Sequence, residues 1–332
     1  MGPRTARRPS ASDLPVRRLT DKKIIVVTRE ARLAGLRRRF NTARQAKFYV
    51  EHLGGDFSDY TAEQDTYQAA ITQTDAALRP LGLVQFVDRS FLPNFVFGPE
   101  DTVVVLGQDG LVANTLKYTG TLPVVGVNPD PKRFDGVLLP FLVGDLPKIM
   151  PETLANRRPC KQVTMAKASL NDGRTLYAVN DLFVGPRSHV SARYIIRHGR
   201  MEETHSSSGV IVSTGLGSTG WLKSLLTGAD AISATIHSGA SGKEANERPP
   251  LPPMGWDADY LYFTVREPFP SRTTAATLVF GAVTAREPLR LRSQMAENGV
   301  IFSDGIEADF LEFNSGAEAQ IAVAERKGRL VS

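Results

Sequence analysis

Four short apolar runs set the tightest limit on what this chain can fold into: Ile24–Thr28 (IIVVT), Leu83–Val87 (LVQFV), Thr102–Leu106 (TVVVL) and Pro123–Val127 (PVVGV). β-Branched side chains crowd the preceding turn of a helix and suit a pleated strand. A run with little polar alternation leaves no face for water, so such strands are covered on both sides, as in a parallel sheet flanked by crossover helices. The stretches between the runs supply those helices. From Ala31 to Leu53 the positions Leu33, Leu36, Phe40, Ala43, Lys47, Val50 and Leu53 recur mostly at spacings of three and four, Lys47 being the apolar pattern's exception, and Gly54-Gly55 supply a stop. They predict one helix, and residues 62–78 predict a second that ends near Pro80. Residues 22–145 are thus expected to form a Rossmann-like α/β domain.

The texture changes at about residue 146. Pro147, Pro151 and Pro159 punctuate the chain, and apolar runs then follow one another without long helices between them. Val163–Leu170 and Thr175–Val184 flank Asn171-Asp172-Gly173, a hairpin signal whose glycine supplies the positive φ of a tight turn. Tyr194–Arg197, Val210–Thr214, Leu261–Val265, Thr277–Phe280, Leu289–Leu291 and Val300–Ser303 continue the series. The expectation for residues 146–332 is a mostly antiparallel β-sandwich domain whose last strands pack back on the first domain, an α/β plus β fold overall. Residues 237–255 interrupt the strands with glycine, serine and four prolines and predict a long mobile loop.

Net charge bears on partners. The formal charge of +5 comes mainly from residues 1–20, where Arg4, Arg7, Arg8, Arg17 and Arg18 face Asp13 alone, so the rest of the chain is close to neutral. A nucleic-acid partner is therefore not expected, and residues 1–21, with three prolines and few large apolar side chains, read as a disordered basic tail. No stretch of 18 or more apolar residues exists, so no membrane partner is expected. A single cysteine, Cys160, excludes an internal disulfide and fits a reducing cytoplasm. His52, His189, His198, His205 and His237 lack metal-ligand spacing, and no protein-held metal site is expected.

Two segments carry chemistry. Thr102–Leu106 runs into Gly107-Gln108-Asp109-Gly110 and then into a helical stretch, a junction that aims backbone N–H groups at phosphate and projects a carboxylate from the end of a strand. Taken alone, that turn is more often an ordinary conformational feature than a site, because Asp and Gly favour turns. The second segment is Gly209-Val-Ile-Val-Ser213-Thr214-Gly215-Leu216-Gly217-Ser218-Thr219-Gly220-Trp221, again an apolar strand that enters a loop of small residues. Small residues admit a ligand close to the main chain, and the hydroxyls donate hydrogen bonds. The pattern G-x-x-x-x-G-K-[ST] is absent, so this is not a P-loop enzyme.

In order, spacing and flanking strands these pieces resemble the NAD kinases of the NAD kinase and diacylglycerol kinase superfamily. The correspondence comprises Gly107-Gln108-Asp109-Gly110-Leu111, Gly126-Val127-Asn128, Asn180-Asp181 and Ser213-Thr214 continuing to Gly217-Ser218-Thr219-Gly220-Trp221. It spans roughly residues 22–331, with Asp304-Gly305 as a turn between closing strands. The resemblance implies an ATP-dependent, Mg2+-assisted kinase in which Asp109 orients or deprotonates the acceptor hydroxyl. It implies that Gly107, Gln108 and Gly110 lie at the donor phosphates, and that Asn128, Asn180, Asp181, Ser213, Thr214, Gly217, Ser218, Thr219 and Trp221 line the acceptor. The implied acceptor is the 2'-hydroxyl of NAD, giving NADP, and the implied assembly is a homodimer or homotetramer. The chain departs from the family pattern at Gln108, Leu111, Asp181 and Trp221. A kinase for another nucleotide, sugar or polyol, and a non-catalytic nucleotide-binding protein, therefore stay open as alternatives.

Overall fold

The computed structural model describes residues 18–238 and 253–332. The first half runs β1 (Lys23–Thr28), α1 (Arg32–Phe40), α2 (Ala43–His52), α3 (Phe57–Leu78), β2 (Leu83–Asp88), β3 (Thr102–Leu106), α4 (Asp109–Thr119), β4 (Pro123–Asn128), β5 (Phe141–Leu142) and α5 (Leu146–Leu154). The second half is almost wholly strand: β6 (Cys160–Leu170), β7 (Thr175–Ala178), β8 (Asp181–Pro186), β9 (Ala192–His198), β10 (Met201–Ser207), β11 (Val210–Ser213), then α6 (Trp221–Ser238). It ends with β12 (Leu261–Val265), β13 (Phe280–Val283), β14 (Leu289–Ser293), β15 (Gly299–Ser303), β16 (Ile306–Glu312) and β17 (Glu318–Val331).

Period-two geometry explains why the apolar runs of the first half need two covers. Along β1, Ile24 and Val26 enter one cluster with Tyr67 and Ala70 of α3 and Ile149 and Met150 of α5. Ile25 and Val27 point to the opposite face and meet Leu111, Val112 and Leu116 of α4. All four are fully buried, each worth about 1.5–3 kcal/mol of burial free energy. Strands β2, β1, β3 and β4 lie side by side and parallel, so the chain leaves β1 toward β2 and returns on the other side as β3. The carboxyl ends of β1 and β3 therefore border the point where strand order reverses, the usual ligand crevice of an open α/β sheet.

The second half is antiparallel and makes two layers. A six-stranded sheet, β13-β12-β11-β8-β15-β16, packs its inner face (Leu182, Val184, Val212, Phe263, Ile301) against Tyr194, Ile196, Leu291 and Ile321 of the larger sheet. That larger sheet holds eleven strands and runs without interruption into the first half. Its link is β17, which pairs antiparallel with β6 and β14 and parallel with β4.

Three sequence expectations are corrected. The single helix over Ala31–Leu53 is two helices, because Asn41 adopts a left-handed conformation (φ 60°) and Thr42 then caps α2 by accepting the Gln45 N–H. The single strand over Thr175–Val184 is also two: the chain leaves the large sheet after Ala178 and joins the six-stranded one at Asp181. The strand at Thr277–Phe280 lies later, at Phe280–Val283. Of the expected tail, residues 1–17 lie outside the described residues, whereas the N–H groups of Leu19 and Thr20 donate to the carbonyls of Pro80 and Leu81. Most of the loop read over 237–255 likewise lies outside the described residues.

Candidate functional site

The buried strand β3 delivers the chain to Gly107, whose N–H donates to the Val127 carbonyl at 3.3 Å. A Cβ on Gly107 would stand 2.7 Å from Leu111 Cδ2, so the leucine closes over the glycine. Gln108 takes the N-cap position of α4 in an extended conformation, with no side-chain cap. Asp109 opens the helix, where the helix dipole favours a carboxylate. Its Oδ1 accepts the Leu138 N–H at 2.6 Å, which fixes the carboxylate's orientation. Gly110 is exposed, and a Cβ there would meet nothing within 4 Å.

Beside this loop, at the strand-order reversal, lies a cavity of about 800 Å³ lined by Arg29, Arg32, Arg38, Arg89, Ser90 and Gln108 among others. Three of its arginines are committed to ion pairs. Arg29 donates to Glu63 at 2.7 Å, and Arg32 donates to both Glu63 and Asp59. Burial pushes the Glu63 carboxyl up, but the bonds from Arg29 and Arg32 hold it below its ordinary value. Bonds from Arg133 and Arg32 depress Asp59 to about 2. Tyr67 braces the floor: its hydroxyl accepts the Arg29 N–H, donates to the Leu106 carbonyl, and is pushed up to about 12 by burial. Arg38 pairs with Glu30, whereas Arg89 is exposed and makes no ion pair among the described residues. The arginine run that follows Gly35 in the sequence thus partly faces this cavity.

A second constellation forms where β7 gives way to β8. Asp304, held at φ 55° in the turn between β15 and β16, accepts the N–H groups of Val179 (3.0 Å), Asn180 (2.6 Å) and Asp181 (3.3 Å). These amides have left one sheet and not fully entered the other, so the carboxylate supplies the partners they would lack. Asp181 accepts the Ser213 hydroxyl, and the Thr214 hydroxyl donates to the Val179 carbonyl. Burial, opposed by the Ser213 bond and aided by the nearby Asp304 charge, lifts Asp181 to about 7. Burial also raises Asp304, against the Lys117 charge and the three backbone bonds.

The glycine loop is pressed onto this corner. A Cβ on Gly217 would fall 2.2 Å from the Asn180 carbonyl oxygen, and one on Gly215 would fall 1.9 Å from the Gly255 oxygen. Ser218 and Thr219 donate to the carbonyls of Gly215 and Leu216, closing a tight turn before α6.

One apolar cluster backs both constellations. It contains Leu111 and Val112 from the first turn of α4, Leu138 whose N–H bonds Asp109, Val179 next to Asn180, and Leu216 next to Gly217. Residues more than a hundred positions apart are thereby held on a common base. Two further candidates make contacts of their own. The Asn128 amide donates to the Phe134 carbonyl and accepts the Asp130 N–H, which shapes its own turn. Trp221 stacks on Phe183 at 5.9 Å under the Arg266 guanidinium and lines a different cavity of about 630 Å³ with Arg187, Phe302 and Phe310. Sequence reasoning missed Asp304 as a site residue. Its Asp-Gly pair signals only a turn, and the three amides that it binds lie about 125 positions earlier.

Among the described residues no group of three or more His, Cys, Asp or Glu is placed to hold a metal, and no helix is long and apolar enough to cross a membrane.

No family model matches the sequence, and no curated protein matches it. Solved structures do resemble the fold. Yeast NADH kinase complexed with NADH aligns at a TM-score of 0.57 and 15% identity, over 94% of this chain and 84% of that one. An NAD kinase from Archaeoglobus fulgidus in complex with ATP aligns at a TM-score of 0.54 and 15% identity, over 94% of this chain and 93% of that one. The chain has the NAD kinase-like fold, with a Rossmann-like α/β half and a mostly antiparallel β half.

Proposed function

We propose that this chain is an ATP-dependent kinase that phosphorylates a hydroxyl of a small molecule, with the 2'-hydroxyl of NAD as acceptor and NADP as product. One observation carries the reading: the Asp109 loop and the Asp181–Ser213 corner rest on one apolar cluster, next to the arginine-lined cavity at the strand-order reversal. Phosphoryl transfer depends on positioning and on neutralising charge, and these parts suit both tasks. The neighbours in complex with NADH and with ATP support a nucleotide acceptor and donor.

In this reading the triphosphate lies along the first turn of α4, where the uncapped helix start and the open surface at Gly110 fit an anion. Arg89 supplies positive charge from the cavity wall. Asp109, oriented by the Leu138 N–H, accepts the proton of the acceptor hydroxyl as that oxygen bonds the γ-phosphorus of ATP and the bond from the γ-phosphorus to the bridging oxygen breaks, so that ADP leaves. Asn180, Asp181 and the Ser213–Thr219 segment hold the acceptor, and protonated Asp181 is a hydrogen-bond donor where an ionised one is not. Mg2+ is usually held by one or two carboxylates together with substrate phosphates, a mode that the Asp109 carboxylate would suit, and the ion would neutralise developing charge on the transferred group.

Two features favour a second reading, a nucleotide-binding protein without turnover: Leu111 is buried over Gly107 and offers no hydroxyl to the donor, and Gln108 adds a side chain to the loop. ADP release with NAD and with a panel of nucleotides, sugars and polyols separates the two. Acceptor-dependent ADP release supports the kinase. Nucleotide binding by calorimetry with no ADP release from any acceptor supports the second reading and overturns the first.

A further inference from the structure

Lys117 is a charged residue with a side chain only 2% exposed, far from the surface where a helical lysine ordinarily lies. It sits two turns beyond Asp109 on α4, and its ammonium donates at 2.8 Å to Ser303 Oγ and at 2.8 Å to Asp309 Oδ2, on the two strands flanking the Asp304 turn. The neighbouring Tyr118 hydroxyl also donates to Asp309. Arg326 of β17 donates to the Lys117 carbonyl and lies over the Tyr177 ring, and it forms no ion pair with these carboxylates among the described residues. Asp304, between the two strands, lies within the field of the same ammonium and holds the N–H groups of Val179, Asn180 and Asp181. The path from Lys117 to the corner is therefore short: the ammonium holds Ser303, the next residue is Asp304, and Asp304 holds the three backbone amides that lead to Asp181 with its Ser213 partner.

We infer that Lys117 is the positioning residue of the corner at Val179–Asp181: by neutralising the Asp304–Asp309 turn from inside α4, it fixes that corner relative to the helix that carries Asp109. A buried cation with an uncompensated partner is costly, so removing either side releases the other. Because Asp109 and Lys117 share one rigid helix, the distance between the two halves of the site is set by this buried charge rather than by a hinge. The groups that face the ammonium are Ser303, Asp309 and Asp304 from the β15–β16 hairpin and Tyr118 from its own helix.

The test is amide hydrogen exchange on the full chain, comparing Lys117→Met, Lys117→Arg, Asp304→Asn and the Lys117→Met/Asp304→Asn double variant. Local loss of support predicts that exchange at Val179, Asn180 and Asp181 rises about tenfold or more in Lys117→Met, while amides of β1 and β3 keep their rates. Lys117→Arg, which keeps the charge, should restore protection, and the double variant should exchange no faster than Asp304→Asn alone. A uniform rise across the chain, or unchanged exchange at those three amides, overturns the inference. Should Lys117→Met not fold, Asp309→Asn on the half-exposed hairpin carries the same measurement, with the same local rise expected. The consequence for turnover rests on the proposed kinase function: Lys117→Met should raise the KM for NAD about tenfold and leave the KM for ATP unchanged. If the unsubstituted protein does not turn over NAD, the kinase reading falls while the exchange result still decides the place of Lys117.

Discussion

Replacing Gly217 with alanine tests the proposed acceptor corner at Asn180–Asp181 with one methyl group. The added Cβ would sit 2.2 Å from the Asn180 carbonyl oxygen, 2.6 Å from its carbon and 2.9 Å from Asp181 Oδ1. The first contact is more than about 1 Å inside the roughly 3.5 Å at which non-bonded atoms rest. Two of the three obstacles are backbone, so no rotamer change relieves them. The corner itself cannot drift freely, since the Asn180 carbonyl accepts the Thr214 N–H at 2.9 Å and its N–H is held by Asp304. Overpacking of this kind costs about 1–3 kcal/mol, and a lost charge-assisted hydrogen bond about 1.5–3 kcal/mol more. At about 2–4 °C per kcal/mol, Tm should fall by about 5–24 °C. A corner moved by about 1 Å should lower kcat/KM for the acceptor by about 100-fold in an ADP-release assay. Gly110→Ala is the control: its Cβ meets nothing, and alanine inside a helix is about 0.5–1 kcal/mol better than glycine. It should raise Tm slightly and weaken only ATP. An unchanged Tm in Gly217→Ala, or an equal loss in Gly110→Ala, refutes the argument that the loop is wedged against the corner.

Asp109→Asn keeps an oxygen for the Leu138 N–H but removes the charge, so Tm should stay within about 1 °C of the unsubstituted protein while kcat falls about 10²- to 10⁴-fold; equal activity would remove Asp109 from the chemistry. Asp181 has its carboxyl raised by burial to about 7 from 3.8, so the folded chain holds a proton that the unfolded chain releases. Its contribution is therefore fully present below about pH 4 and is lost as the pH rises through 7, and Asp181→Asn should gain stability relative to the unsubstituted protein between pH 5 and pH 8 in denaturant titrations. A constant difference across that window would contradict the burial argument. Arg89→Gln should raise the KM for ATP severalfold with no change for the acceptor, as steady-state kinetics with each substrate varied would reveal.

Local chemistry was legible in the sequence, and distant partners were not. The strands at Ile24–Thr28 and Thr102–Leu106 announce themselves because β-branched residues have few alternatives, and their two-sided burial follows from the missing alternation. The turn at Gly173 (φ 90°) needs a glycine and has one. The break between β7 and β8 leaves no such mark: Val179-Asn180-Asp181 reads as more strand, and only a carboxylate about 125 positions away makes the break affordable by taking the orphaned amides. Lys117 reads as an ordinary helix-surface lysine for the same reason, its partner Asp309 lying 192 positions ahead. The end of α1 at Asn41 was hidden by an apolar period that continues across it, whereas the Thr42 cap signal was present but local. The paired glycine loops were legible separately; that they share an apolar base depends on Leu111, Leu138, Val179 and Leu216, which nothing in their own neighbourhoods distinguishes from other core residues.

The strand β17 has a consequence for how the chain is made. It pairs Arg329 with Pro123 and Leu330 with Val124, filling the edge of β4 that β5 leaves open, while β5 covers only Val127 and Asn128. During synthesis from the amino terminus at about 5–20 residues per second, roughly 200 further residues must be added before that partner exists, a wait of about 10–40 s. Throughout it the parallel half of the sheet presents the unpaired backbone of Pro123 and Val124, buried in the finished protein, to whatever else is nearby. The nascent chain is most in need of a chaperone after its first half is complete, and emergence of β17, rather than of the α/β half, is the event that seals the sheet.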